Sequence, residues 1–345
     1  MTIRELTFVA PRKIEFRERP RPVIDDPRQA LVRPIAVARC DLDIAFAQGT
    51  VPTQGPFGLG HECVGEVIDL GDAVCTVAIG DRVVVPFQIS CGACARCAAG
   101  QTGHCTAVPP RSAYGLGPLG GTQYGGAITD VMRVPFADAM LVKLPPGLDP
   151  VAAAALGDNA VDGFRTVYGG LARAPGARVL VAGGGALSVA MYAVSAARAC
   201  GAKEVVYVDA APDRARIAEQ LGATAVREQP DPQLRLGRFP IVVNGTTTEA
   251  GLRFCIASTE PDGTCTSVGI YWTDVALPLL EMYTRGITFI TGRVHARGQL
   301  PAALALAASG AFALAPIATT RVTWDRAPEA WPEPATKLVI TREVA

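Results

Sequence analysis

Apolar positions follow two different rhythms along this chain. Up to about residue 145 they come in short β-branched runs broken by Gly and Pro. Ala30–Ala38, Gly65–Leu70 and Arg82–Pro86 predict strands of an irregular β-rich region. From about Asp149 strand-like and helix-like segments alternate. Ala152–Leu156 and the stretch around Phe164–Leu171 predict helix, Val179–Ala182 a strand, Ser188–Cys200 a helix, Glu204–Val208 a strand and Arg214–Leu221 a helix. Ile241–Val243, Gly251–Ala257, Thr264–Val268 and Ile287–Thr291 follow as strand, helix, strand and strand. These lengths are those of βαβ units and imply a parallel sheet covered on both faces. A helix near Gln299–Ser309 and a strand at Lys337–Ile340 close the chain, in a tail too short for a third domain. The expected organisation is a β-rich domain over 1–148, an α/β domain over 149–291, and a return to the first domain over 292–345.

Composition supports two cores: of 345 residues 49% are hydrophobic and 19% charged. Lys+Arg and Asp+Glu are 32 each, and no run of like charge occurs, so neither nucleic acid nor an acidic membrane surface is an expected partner. Residues 179–197 and 298–320 are uncharged and long enough to span a bilayer. The first is interrupted by Gly183, Gly184 and Gly185, the second by Gly298, Pro301, Gly310 and Pro316, so both predict soluble structure. The start, Met1-Thr-Ile-Arg-Glu, lacks the pattern of a secretory leader. With ten cysteines, the expectation is a reducing cytoplasm where thiols serve as metal ligands or small hydrophobes.

Four of those thiols stand close together as Cys91-Gly-Ala-Cys94-Ala-Arg-Cys97, followed by Cys105. Four thiolates fill a tetrahedral zinc shell and leave no open position, so such a site is structural. Gly92, Gly100 and Gly103 supply tight turns for convergence.

Val179-Leu-Val-Ala-Gly183-Gly184-Gly185 ends a predicted strand and opens a helix, where glycines let backbone approach a pyrophosphate at the helix N-terminus. Asp209 ends the next strand, where an acid accepts both adenosine ribose hydroxyls and repels a 2′-phosphate; this predicts NAD over NADP. Arg214 is read either as a cover for the adenine or as a solvated helix residue. Reading G-x-G-x-x-G from Gly183 puts Ser188 at the third glycine, whereas counting back from Gly201-Ala202 puts Ala190 there. The second count is preferred. It predicts a phosphate loop about two residues longer than usual, with the Ser188 hydroxyl open to a phosphate oxygen. Gly269, past the strand at 264–268, joins the candidate cofactor residues.

His61 lies in Gly58-Leu-Gly60-His61-Glu62, Cys40 in Arg39-Cys40-Asp41-Leu42-Asp43, and Asp158 in Leu156-Gly157-Asp158-Asn159. One thiolate, one imidazole and one carboxylate would form a three-ligand zinc site with an open position, with Asp43 a partner for the second His61 nitrogen. A hydrogen-bonded core histidine is the open alternative. His104 is expected at the surface of the cysteine lobe, and His295, between Arg293 and Arg297, in contact with phosphate or solvent.

Cys40-x-x-Asp43, Gly60-His61-Glu62-x-x-Gly65, Gly80-Asp81-Arg82-Val83, the cysteine lobe, the glycine turn with Asp209, and Met282-Tyr283-x-x-Gly286-Ile287-Thr288-Phe289-x-x-Gly292-Arg293 recur as a set. Together they make nearly the whole chain resemble a zinc-dependent medium-chain dehydrogenase/reductase of the alcohol dehydrogenase type. The resemblance implies a Rossmann nucleotide-binding domain plus a GroES-like β-rich catalytic domain. It assigns Cys40, His61 and Asp158 to a catalytic zinc, Glu62 to an acid beside that metal, and the lobe to a structural zinc. An Asp as third ligand is closer to the threonine- and formaldehyde-dehydrogenase-like branch. The implied reaction moves hydride between an alcohol, or its aldehyde or ketone, and NAD(H), the zinc lowering the alcohol pKa. Leu187 is a candidate for pressing on the nicotinamide, and Lys337 stands where some relatives bind the pyrophosphate. Phe46, Phe57, Tyr271 and Trp272 are pocket candidates. A homodimer or homotetramer is implied, joined partly through an edge strand near Ser267–Tyr271.

Three positions depart from the family pattern. Leu42 replaces the usual Ser or Thr of the proton relay, Ala45 replaces a relay histidine, and Asp162 replaces a Thr near the nicotinamide. Asp162 is read either as an acceptor for a substrate hydroxyl or as a solvated helix acid. The alternatives to an alcohol dehydrogenase are a zinc-stabilised NAD-binding regulator and a non-alcohol reductase of the same fold.

Overall fold

The structure, a computed structural model, describes residues 1–342. The chain forms two units: Met1–Val161, His295–Ala308 and Ala318 onward in the first, Asp162–Val294 and Ser309–Ile317 in the second. The first contains β1 (Thr2–Ala10), β2 (Lys13–Pro20), β3 (Ala30–Ala38), α1 (Asp41–Gln48), β4 (Phe57–Gly58), β5 (Glu62–Leu70), β6 (Arg82–Val85), α2 (Ala95–Ala98), β7 (Met132–Val134), α3 (Ala137–Met140), β8 (Val142–Lys143) and α4 (Pro150–Ala153). Helix α5 (Asn159–Arg173) leads into the second, which holds β9 (Arg178–Ala182), α6 (Leu187–Ala199), β10 (Glu204–Val208), α7 (Pro212–Gln220), β11 (Thr224–Val226), β12 (Phe239–Asn244), α8 (Glu249–Ala257), β13 (Thr259–Ser267), α9 (Leu279–Arg285) and β14 (Thr288–Thr291). The chain then adds α10 (Ala296–Ala308), β15 (Thr320–Thr323), α11 (Ala327–Ala330) and β16 (Leu338–Thr341) to the first unit.

In the first unit β3 is the central strand of a sheet ordered β15-β16-β3-β5-β6-β8, with β7 also on β3. All but one of its residues are buried, which is why it reads as a nearly unbroken apolar run. Its proline, Pro34, sits where the register with β5 shifts, a place that tolerates a missing donor. The core beneath is built from Leu6, Phe8, Val32, Val37, Phe57, Met132, Trp331 and Ile340.

The second unit is one six-stranded sheet, ordered β11-β10-β9-β12-β13-β14, in which every neighbouring pair is parallel. This is the doubly wound dinucleotide-binding arrangement, whose order reverses between β9 and β12 and leaves its ligand crevice at the strand ends there. Helix α6 is buried from Ser188 to Ala197, which explains why that stretch carries no charge and its one cation, Arg198, comes after it. Among the described residues no helix is long and apolar enough to cross a membrane.

Contacts divide the chain differently from its texture. Residues 154–157 form a 3-10 turn pressed on β5, and the Phe87 amide donates to the Gly157 carbonyl at 3.1 Å, so the stretch from 149 to 161 belongs to the first unit. Residues 309–317 return to the second, where the Ser195 hydroxyl donates to the Ala313 carbonyl at 2.8 Å and Phe312 packs on Phe164 and Tyr192. The expected edge strand at 267–271 is also corrected. Ser267 ends β13, which is flanked on both sides, and the edge strands of the sheet are β11 and β14.

Helices α5 and α6 meet at Gly163. A side-chain carbon there would lie 2.7 Å from the Ala193 amide, the Val189 carbonyl and the Tyr192 side chain. Gly163→Ala is expected to cost about 1–3 kcal/mol through backbone displacement. Thermal unfolding would show it as a fall of several degrees, and an unchanged midpoint would mean the helices are free to slide apart.

Candidate functional site

Cys40 precedes α1, and its amide donates to the Asp43 carboxylate at 3.2 Å, which fixes the first turn of the helix. His61 is set by Gly60, whose φ of +88° and close contact with Ile128 and Val37 exclude a side chain. Asp158 follows the 3-10 turn that lies on β5 and β6. The ligand atoms of Cys40, His61, Glu62 and Asp158 all lie within 4.8 Å of one another, and all four residues are buried. His61 Nε2 is 3.3 Å from Asp158 Oδ2, and Nδ1 faces Asp43 at 3.8 Å. Donors about 2.0–2.3 Å from a tetrahedral ion are themselves about 3.3–3.8 Å apart, so this arrangement fits a zinc-sized ion.

Electrostatics support the same fit. Burial pushes the Cys40 thiol well up, and Asp158 and Glu62 add to it. Burial, only partly offset by Lys337, pushes Glu62 up to about 8. Burial acts the same way on Asp158, but the hydrogen bond and charge of His61 hold it net below the ordinary carboxylate range. So much acid in a dry interior is costly unless a cation joins it.

Two residues tie the cluster together, and neither role was anticipated from the sequence. The Asn159 amide donates to Cys40 Sγ at 3.3 Å and to Asp158 Oδ2 at 3.2 Å, while its oxygen accepts from the Asp41 amide at 3.4 Å. Lys337, expected on a pyrophosphate, is instead fully buried. Its ammonium donates to Asn159 Oδ1 at 2.7 Å, Glu62 Oε1 at 2.8 Å and the Arg39 carbonyl at 2.9 Å. All three of its protons are engaged, which leaves none for a phosphate. Leu42 and Ala45 are half-buried and bring no polar group.

The lobe thiols of Cys91, Cys94, Cys97 and Cys105 form the second cluster. Amide hydrogen bonds pull Cys94 down to about 5, and burial pushes Cys97 up to about 12. His104 is exposed, as expected, and His295 is half-buried: its Nδ1 accepts from the Gly103 amide at 3.1 Å and its ring meets His104 edge-on.

In the second unit the loop from β9 to α6 is Gly183–Ala186, four residues long, so the longer phosphate loop is not present. Ser188 takes the third-glycine place and is fully buried inside α6, where its hydroxyl is closed to a ligand. Gly184, with φ +149°, needs glycine, and Gly185 is exposed at the mouth of the loop beside Thr247. Leu187 opens α6 half-buried, and Gly269 passes against the Thr246 carbonyl, a packing reason for that glycine. Asp209 lies at the end of β10 as predicted and is bonded to Arg214. The turn and the acid fit a dinucleotide. Asp162 holds Arg165 at 2.6 Å, and Tyr271 is anchored to Asn244 at 2.9 Å, whereas Trp272 is exposed. Phe46 is buried, and Phe57 stacks on Phe8 in the core.

Known proteins resemble this chain over most of its length. The alcohol dehydrogenase GroES-like domain profile matches residues 26–146, and the zinc-binding dehydrogenase profile matches residues 188–309. A probable zinc-binding alcohol dehydrogenase of Mycobacterium tuberculosis is 30% identical over 325 residues, covering 91% of this chain and 80% of the relative. A glutathione-independent formaldehyde dehydrogenase of Pseudomonas aeruginosa is 33% identical over 233 residues, 64% of this chain and 57% of its own. The solved alcohol dehydrogenase TADH of Thermus sp. ATN1 superposes with a TM-score of 0.87 at 30% identity, over 99% of this chain and 100% of the other.

Opening the lobe should separate stability from chemistry. Cys94→Ser is expected to lower the metal content by about one ion per chain and to depress the melting temperature. Turnover per folded molecule should persist. Metal content unchanged by this substitution would remove the lobe as an ion site.

Proposed function

Because the chain belongs to the zinc-dependent medium-chain dehydrogenase/reductase family, we propose that it transfers hydride between an alcohol, or its aldehyde or ketone, and NAD(H). The observation that carries this reading is the buried convergence of Cys40, His61 and Asp158 beside Glu62. These three residues would hold a catalytic zinc, and the four lobe cysteines a structural one. A bound catalytic ion would supply the Lewis acidity that lets an alcohol ionise near neutral pH.

The chain's own groups have defined tasks in this reading. Asp43 orients the His61 ring through its second nitrogen. Asn159 holds the Cys40 thiolate and Asp158 in register, and Lys337 restrains Glu62. With apolar side chains at 42 and 45, the proton leaves through solvent or Asp41 instead of a hydroxyl relay. An Asp as the third ligand favours the formaldehyde- and threonine-dehydrogenase-like branch. Gly183, Gly184 and Gly185, with the N-terminus of the 13-residue α6, would bind the pyrophosphate, and Asp209 the adenosine ribose, which favours NAD over NADP. Ten cysteines without a disulfide suit a reducing cytoplasm.

Cys40→Ser and His61→Ala are each expected to remove one zinc per chain and abolish alcohol-dependent NADH formation without unfolding the protein. Normal turnover in either variant would remove the site assignment. Elemental analysis of the wild type should give about two zinc per chain.

We also infer self-association through β14. Ile290 on this edge strand is 40% exposed, and Leu279, Leu280 and Tyr283 of α9 are exposed as well. A sheet edge with apolar neighbours is a natural place for a second copy to pair. Light scattering should report a dimer or tetramer, and Ile290→Lys should shift it toward the monomer. A monomeric wild type at micromolar concentration would refute the association.

A further inference from the structure

Lys337 reaches the acid cluster by two routes. Directly, its ammonium bonds Glu62 Oε1 at 2.8 Å. Indirectly, it donates to Asn159 Oδ1 at 2.7 Å, and the other end of that amide donates to Cys40 Sγ at 3.3 Å and Asp158 Oδ2 at 3.2 Å. The Asp41 amide reaches the same Asn159 oxygen at 3.4 Å. Both protons and both lone pairs of the Asn159 side chain therefore have partners. Chemistry allows only this orientation of the amide. An ammonium and a backbone N–H need the oxygen, while a sulfur and a carboxylate need the amide protons.

The consequence is electronic as well as geometric. Lys337 is 1% exposed and Asn159 3%, so water screens neither link. An ammonium held on its oxygen polarises the amide and strengthens its N–H groups as donors. Those donors draw electron density from sulfur and carboxylate, the two anionic members of the set formed by Cys40, His61 and Asp158. Hydrogen bonds to a ligating sulfur are a lever by which a protein tunes a metal centre.

We propose that Asn159 is a positioning residue that carries the charge of Lys337 to Cys40 and Asp158, weakens both as electron donors, and so sharpens the Lewis acidity of an ion held there. This rests on the reading of Cys40, His61 and Asp158 as a zinc site. It goes further by naming the side chain that sets how electron-poor a bound ion is.

The test replaces zinc with divalent cobalt in the purified full chain and reads the sulfur-to-cobalt charge-transfer band, which needs no substrate. Subtracting the spectrum of Cys40→Ser separates the Cys40 contribution from that of the lobe. Asn159→Leu removes both ends of the bridge. Asn159→Asp keeps an oxygen for Lys337 and the Asp41 amide but has no proton for the sulfur. An electron-richer sulfur gives up charge at lower energy, so both variants are expected to move the band to longer wavelength. Lys337→Gln keeps a neutral donor on the Asn159 oxygen, and its band should move the same way by less. A band at the wild-type position in either Asn159 variant would reduce the residue to a packing prop and overturn the proposal. So would a shift to shorter wavelength. An unmoved band in Lys337→Gln would overturn the part given to the lysine. If wild type and Cys40→Ser gave the same cobalt spectrum, the zinc-site reading itself would fall, a result distinct from a Cys40 band that ignores Asn159.

Discussion

The first unit is organised around a shortage of positive charge. Cys40, His61, Glu62, Asp158 and Asp43 are buried together, and two permanent cations lie close by. Arg39 donates both ends of its guanidinium to the carbonyls of Trp331, Glu333 and Ala335, so it closes the α11 turn and reaches Asp43 by charge, not by a hydrogen bond. Lys337 is bound to Glu62, while the His61 ring lies between Asp43 and Asp158. An apolar interior tolerates such a set only by protonation or by admitting a cation. The sheet register produces the arrangement. Val339 of β16 pairs with Ala38 of β3, which pairs with Glu62 of β5. Lys337, Cys40 and His61 therefore fall at the same end of three neighbouring strands, and a slip of one residue in either pairing would turn Glu62 or its partners to the opposite face.

Legibility from sequence followed the range of the interactions. The cysteine lobe was readable because its four ligands fall within one short loop. Cys40 and His61 were readable as local glycine- and acid-flanked motifs, but their meeting with Asp158 needed the family resemblance as well. Asn159 gave no signal, and Lys337 was read onto a pyrophosphate instead. Their contact spans 178 residues, and an isolated Asn or Lys in sequence looks solvent-facing whether or not it is buried. Only the register of β16 against β3 takes Lys337 inside.

The nucleotide unit shows the same division. Glu204–Val208 was placed to the residue and α6 within one, because apolar runs bounded by glycines mark their own ends. The loop between β9 and α6 was misread because its register was counted from the far end of the helix. Helix length varies freely, whereas the helix start is tied to the strand that feeds it, so the forward count from Gly183 was the sounder one. Strand order fared no better: periodicity identified β13 and β14 as strands without saying which lies at the edge. The knot at Asp209 was half visible. Tyr207 and Asp209 alternate onto one face of β10, and Arg214 lies one helical turn into the next element, yet nothing in the spacing says that the arginine will turn back to the acid.

The two units thus meet the cost of a buried carboxylate in opposite ways. In the first, the acids exceed the bases that the chain supplies, and a bound ion would complete a set of partners that is otherwise short. In the second, Tyr207, Arg214 and the Ala211 amide satisfy Asp209 without any ligand. A ligand at the first site adds missing interactions, so its binding is expected to stabilise the fold directly. A ligand at the second exchanges one set of hydrogen bonds for another, and its affinity is the difference between them. The affinity of any ligand drawn to that acid would depend as much on the arginine that must leave as on the contacts that form.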